Sequence, residues 1–423
     1  MGFSGSRSAI TKDSHMKKHA KALLIATVYG LAAGAITALV FALMNGVQHL
    51  LWSHPHGDRP LYIIAVIMAG SALIALLHHL RHQGSPTDGG MQQQLDDLHG
   101  TLQFKKRDTL LIAASAIVAV GFGGAIGPEA GLLAVVAECS AIIGLLLSAS
   151  YQEQRLIRDT GAVAALSGLY GAPPGAAVLV DEQADGRKDT EATPLALKFL
   201  AGICGLLGFW LTHGALNDKP FQQLPLPGYQ LEGIDALYAL PAAVGGALLG
   251  LAFRQLHHRV PQWLARTGGP IRQILIASGI FALMAASLPL LRFSGHHELE
   301  HALEHGIHAG VGMLLLLALG KITAMAVCLA GGWRGGEFFP GIFAAAALGA
   351  AVHLLLPGVP LTVAIMGATG AMLTVSLGKP MAVLLLVLLF AGTASPGALL
   401  AGIVLGHFVH GWARQRENAH AGH

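Results

Sequence analysis

The chain has 423 residues, of which 53% are hydrophobic and only 12% charged, with a mean hydropathy of +0.59. Soluble domains carry roughly 25% charge, so this is a polytopic membrane protein. A formal net charge of +3, with basic residues scattered among loops, excludes a nucleic-acid surface. Cys139, Cys204 and Cys328 lie inside apolar runs without metal-type spacing and read as small packed hydrophobes. The 55 glycines and abundant alanines suit close helix packing.

In chain order, residues 1–15 are polar, and Ser14-His15-Met16 looks like a tag remnant; this stretch is set apart as tag-like or disordered. Apolar runs follow at about 20–51, 61–80, 109–121, 127–148, 161–180, 194–213, 236–256, 271–291, 308–330, 338–356, 359–376, 380–391 and 396–412. Several fall short of the roughly 20 residues of a perpendicular span, which predicts tilted or half-crossing helices. The stretch 217–233, rich in Pro, Leu and Gln, separates a first half at 16–216 from a second at 234–413, leaving a tail at 414–423. Basic residues mark one side: Lys17, Lys18 and Lys21; Lys105, Lys106 and Arg107; Arg155 and Arg158; Arg254, Arg259, Arg266 and Arg272; Arg414 and Arg416. The positive-inside rule places these, and both termini, on the cytoplasmic side. The polar stretch 81–101 holds another possible helix start, and the loop from Asp181 to Thr193 reads as solvated.

Two interruptions organise the pattern. Gly123-Gly-Ala-Ile-Gly-Pro-Glu-Ala-Gly131 and Gly335-Gly-Glu-Phe-Phe-Pro340 each sit between apolar runs where a spanning helix would otherwise continue. Glycine frees the backbone, and a proline in the first turn starts a new helix. A helix beginning at membrane depth leaves its first N–H groups without partners; with the positive end of the dipole they suit an anion. Two such breaks at matching positions in two halves point to a transport site near the bilayer midplane.

These residues resemble a known family. Gly124 to Glu129 resembles the Gly-(Lys/Arg)-Glu-Gly-Pro signature of the CLC chloride channels and proton-coupled transporters, and Gly336-Glu-Phe-Phe-Pro340 resembles their Gly-x-Phe-x-Pro. Leu169 to Glu182 is similar to the Asn-Ala-Pro-x-x-Gly stretch that ends in paired acids. The order and spacing match from about residue 23 to 413, closest to a short bacterial branch described only as ion-transport proteins. The resemblance implies an all-α fold of two inverted-topology repeats with broken, tilted helices, and a homodimer with one pore per subunit. It implies that the amides of Ala125, Ile126, Gly127, Glu337 and Phe338 coordinate the anion, with Gly124, Pro128, Gly336 and Pro340 making the breaks. No cofactor or metal is implied, and the substrate is chloride or another small anion, fluoride included.

The departures shape the functional expectation. Ile126 stands where the family carries its gating glutamate, and an apolar side chain cannot carry a proton. In the family, loss of that acid goes with channel-like movement, so passive chloride transport is expected, with proton-coupled exchange as the alternative. Glu129 is a candidate gate, or simply complements the helix start. Glu337 beside the anion site points away, pairs with Arg334, or relays a proton. Glu182, in the paired acids, is a candidate proton relay or a solvated helix end. Neither the family's serine-bearing Gly-Ser-Gly-Ile-Pro box nor its final helix with a pore tyrosine has a clear match. Lys321, inside an apolar run, would raise local anion concentration or snorkel. His297, His301 and His305, spaced by four, would share a helix face with Glu304; this reads as a surface amphipathic helix, with zinc binding or pH sensing as rivals. A His-rich metal transporter or membrane metalloenzyme is the competing class.

Overall fold

Apolar runs too long to remain extended in lipid close their own hydrogen bonds as helices. The computed structural model describes residues 16, 19–80, 106–147, 150–184, 193–216, 226, 229, 233–392 and 394–421. The tag-like residues 1–15, the polar stretch 81–101 and nearly all of 217–232 lie outside the described residues. A π-turn at Ile25–Tyr29 leads into α1 (Gly30–Trp52), followed by α2 (Pro60–Leu80), α3 (Lys106–Gly121), α4 (Glu129–Leu146), α5 (Tyr151–Tyr170), α6 (Pro173–Ala184) and α7 (Leu195–Leu216). Beyond a short turn of helix at Asp235–Tyr238 come α8 (Leu240–Ala265), α9 (Pro270–Ser287), α10 (Leu299–Ala309), α11 (Val311–Ala330), α12 (Phe338–Leu355), α13 (Leu361–Leu377), α14 (Pro380–Phe390) and α15 (Pro396–Ala421). Among the described residues 8 helices are long and apolar enough to cross a membrane, and no strand is present. The α3, α13 and α14 helices add shorter apolar segments.

The described residues fall into two compact units. One takes residues up to Leu39 together with Val135 to Leu216. Its centre is α5, buried from Arg155 to Tyr170, started by a Ser150–Glu153 capping box and stopped by Gly171 at φ 65. Arg155 and Arg158 therefore do not mark an exposed loop; they are 6% and 5% exposed within this helix. The Tyr29 hydroxyl and Ser140 Oγ share a 2.6 Å hydrogen bond that ties the π-turn to α4.

The second unit takes Val40 to Leu80, Lys106 to Ala134 and the described residues from 226 onward. Here α13 is buried on nearly every side, as an all-round apolar helix must be, and packs against α8, α12 and α15. Both sequence breaks lie in this unit.

Candidate functional site

The two breaks are built alike. At the end of α3, Gly123 adopts φ 88, which a side chain would strain. Its amide donates to Val120 O (3.2 Å) and that of Gly124 to Ala119 O (3.0 Å), a Schellman stop. At the end of α11, Gly332 adopts φ 77, and the amides of Gly332 and Trp333 donate to Leu329 O (3.2 Å) and Cys328 O (3.0 Å). Four residues beyond each left-handed glycine stands a second one, and these two meet. Gly127 N–H donates to Gly336 O at 2.8 Å, and Gly336 N–H returns to Gly127 O at 2.9 Å. This is the isolated antiparallel bridge of the described residues. Two residues further on, α4 starts at Glu129 and α12 at Phe338. The starts of two helices are thereby held together inside the apolar interior; Ala125 and Ile126 are 0% exposed and Phe338 is 1%.

One residue of the expected anion set needs correction. The Gly127 amide is committed to Gly336, because the bridge that joins the breaks uses it. The Ala125 amide faces the Cys328 sulfur. Ile126 N–H has no backbone acceptor among the described residues. Ile126 also packs where a side chain on Gly335 would have to go, so the two breaks interlock around it.

Glu129 is fully buried, and neither carboxylate oxygen has a hydrogen-bond partner among the described residues. The amides of Glu129 itself, Phe339 and Gly336 lie toward it without reaching hydrogen-bond geometry, and Glu337 acts on it through space. A Cβ on Gly127 or on Gly336 would strike this carboxylate. The bridge glycines thus leave room for the carboxylate of the first residue of α4, which lies against the start of α12. Glu337 precedes α12 as its N-cap residue, half-buried and without a side-chain cap hydrogen bond.

The remaining candidates are not all drawn to this place. Asp181 pairs with the buried Lys198 at 2.6 Å, a partner that sequence reading missed, and its neighbour Glu182 is half-buried at the end of α6. Lys321 is fully buried, and its amine donates to three backbone carbonyls, so it neither snorkels nor offers an uncommitted cation. In the histidine segment, His297 precedes the helix, so it does not share a helical face with His301 and His305. Those two are exposed, with ring centroids 6.4 Å apart, and no cluster of three metal-ligating side chains occurs among the described residues. Trp52, Phe293 and Trp333 also serve the breaks. Trp52 Nε1 donates to Gly121 O (3.0 Å), Phe293 N–H to Gly123 O (3.1 Å), and Trp333 Nε1 to Ser278 Oγ (2.8 Å). No spacing in the sequence signals them.

Comparison with known proteins decides the assignment. The family described as voltage gated chloride channel matches residues 70–411. The chain belongs to that family. Curated relatives include "Putative ion-transport protein YfeO" of Escherichia coli strain 55989, 26% identical over 352 residues that make up 81% of each chain. The protein of the same name from Shigella flexneri is similar to the same extent. Among solved structures, a slow cyanobacterial Cl−/H+ antiporter superposes with a TM-score of 0.76 at 18% identity, covering 93% of this chain and 94% of that one. A CLC-type fluoride/proton antiporter gives 0.72 at 16% identity, covering 92% and 95%. The fold is therefore that of the CLC proteins, and the chain is an integral membrane protein of an anion-transporting family.

Proposed function

We propose that this CLC-family chain carries chloride passively across the membrane, with Glu129 as a resident anion that must lose its charge or leave before chloride takes its place. The observation that carries this reading is the unpartnered, fully buried Glu129 carboxylate wedged between the bridge glycines at the start of α12. The carboxylate lies at the bridge glycines toward the amides of Glu129, Phe339 and Gly336, and the seat proposed for chloride extends from there to the backbone of Ala125, Ile126, Glu337 and Phe338. Helix starts offer partial positive charge without a fixed cation that would trap the ion, and a conducting site must release what it binds. Ile126 cannot provide the family's acid, and Glu129 supplies one from one turn further on.

The proposal extends to assembly and placement: a homodimer in the bacterial inner membrane, both termini cytoplasmic, built from halves at 16–216 and 234–413. The matching Schellman stops and helix starts of the two breaks support the halves.

Proton-coupled exchange is the second reading, favoured by the same buried acid and by the solved neighbours, which are described as a Cl−/H+ antiporter and a fluoride/proton antiporter. Glu337 and Glu182 are its further candidate relays. Purified protein in liposomes under a pH gradient separates the two. A chloride reversal potential that follows the chloride gradient alone supports passive movement, and one that shifts with the proton gradient supports exchange. Efflux of fluoride and nitrate in parallel reports the substrate; absence of any anion flux would sink both readings.

A further inference from the structure

Lys321 lies on α11, about three turns before the second break, with none of its surface exposed. An ammonium taken from water needs all three of its donors satisfied. Lys321 Nζ donates to three successive carbonyls, Leu291 O at 3.2 Å, Arg292 O at 3.1 Å and Phe293 O at 2.8 Å, and stands 4.6 Å from the centre of the Phe343 ring. These carbonyls close the 3₁₀ turn at Pro289–Leu291, where main-chain acceptors have outrun their helical partners and a cation complements them.

The turn it caps is under tension. Phe293 holds φ 60, a left-handed conformation that a bulky side chain adopts only where its surroundings impose it. From that conformation its amide reaches Gly123 O, on the glycine that ends α3 at the first break. Arg292 fixes the other side of the turn, lying 4.6 Å from the Trp52 ring and donating to Gly57 O (3.0 Å) and Asp58 Oδ1 (2.5 Å). Trp52 in turn donates to Gly121 O. A single residue, Phe293, therefore separates the Lys321 ammonium from the first break, while the helix bearing Lys321 runs directly into the second.

We infer that Lys321 is a positioning residue of the anion seat: with the Gly127–Gly336 bridge, it holds the first break in register with the second. This rests on the seat proposed above. An ammonium whose protons all point at carbonyls does not recruit anions; it sets the backbone that does.

Hydrogen exchange and chloride titration of the purified full chain test the inference. In the wild type, the Phe293 amide should exchange as slowly as the core of α11. Lys321→Met keeps the length and apolar bulk but removes every donor, and Lys321→Gln keeps some. In the Met variant, exchange over 289–297 and over 121–128 should rise at least about tenfold while α13 stays protected. Chloride affinity should fall about tenfold and the chloride-to-nitrate preference should shrink, with the Gln variant between the two. Faster exchange confined to 289–297 with unchanged affinity would overturn the inference, as would loosening of α13 to the same degree. A wild-type Phe293 amide that exchanges at loop rates would overturn it without any variant, should neither substitution fold. If the wild type neither binds nor moves chloride, the seat reading fails instead, and the exchange pattern still reports whether the clamp exists.

Discussion

Replacing Glu129 by Gln removes one negative charge from the proposed seat and leaves its shape nearly unchanged. Two unit charges about 4 Å apart at an effective dielectric near 20 interact by about 4 kcal/mol, which bounds how strongly the carboxylate opposes chloride in the same slot. Protonation or withdrawal of the side chain relieves part of that in the wild type. A net gain of about 1.5–3 kcal/mol remains, or roughly ten- to a hundredfold tighter chloride binding in the Glu129→Gln variant. The assay is chloride titration and liposome efflux between about pH 4.5 and 7.5, a range that brackets ordinary carboxyl and histidine titration. The sign follows from the charge. Protonating Glu129 removes the competitor, so wild-type affinity and flux should rise as the pH falls. The amide of the Glu129→Gln variant has no charge to lose, so that variant should hold the acid-side value throughout. If it binds no more tightly and keeps the wild-type pH slope, Glu129 merely complements the start of α4, and the proposed competition is refuted.

Two further outcomes test neighbouring parts of the geometry. Gly336→Ala places a methyl group against the Glu129 carboxylate; overpacking of this kind costs about 1–3 kcal/mol. Thermal unfolding in detergent should register that loss, and much of it should vanish in a Glu129→Ala background; strictly additive effects would show that the carboxylate is not wedged there. At the Lys198–Asp181 pair the cost should be lopsided. Asp181→Asn strands a buried ammonium and should destabilise by about 2–4 kcal/mol, whereas Lys198→Met leaves only a half-exposed carboxylate and should cost under about 1 kcal/mol. Equal losses in the same melting assay would mean the pair matters for its packing rather than its charge.

The breaks are legible in the sequence because glycine and proline act through the backbone, and backbone rules are local. Gly123, Pro128 and Pro340 stop and start helices wherever they stand, and the structure places those stops within a residue or two of the expected positions. The apolar run at 161–180 is less transparent: Gly171 ends α5 and Pro173 starts α6 in what reads as one segment. Arg155 and Arg158 mislead for a related reason, since charge is a guide to exposure only until a helix is buried on every side. Side-chain destinations are the least legible. Nothing near Lys321 in sequence shows that its acceptors lie on residues 291–293, and nothing near Asp181 identifies Lys198. Such pairings are fixed by how helices pack.

The position of Glu129 follows from the likeness of the two breaks combined with their difference in side chains. Counted from the bridge glycines, Glu129 and Phe338 occupy the same place, the first residue of α4 and of α12. A side chain there springs from its own helix start, and where the two starts face each other it projects toward the opposite one. Phe338 meets Phe339 edge to face and contributes apolar bulk. Glu129 contributes a carboxylate, which lies toward its own amide and those of Phe339 and Gly336. The acid of the first half therefore faces donors at both helix starts, its own and that of the second half. In this chain, any change that draws α12 away from α4, including loss of the Gly127–Gly336 bridge, should release the carboxylate and free the seat together.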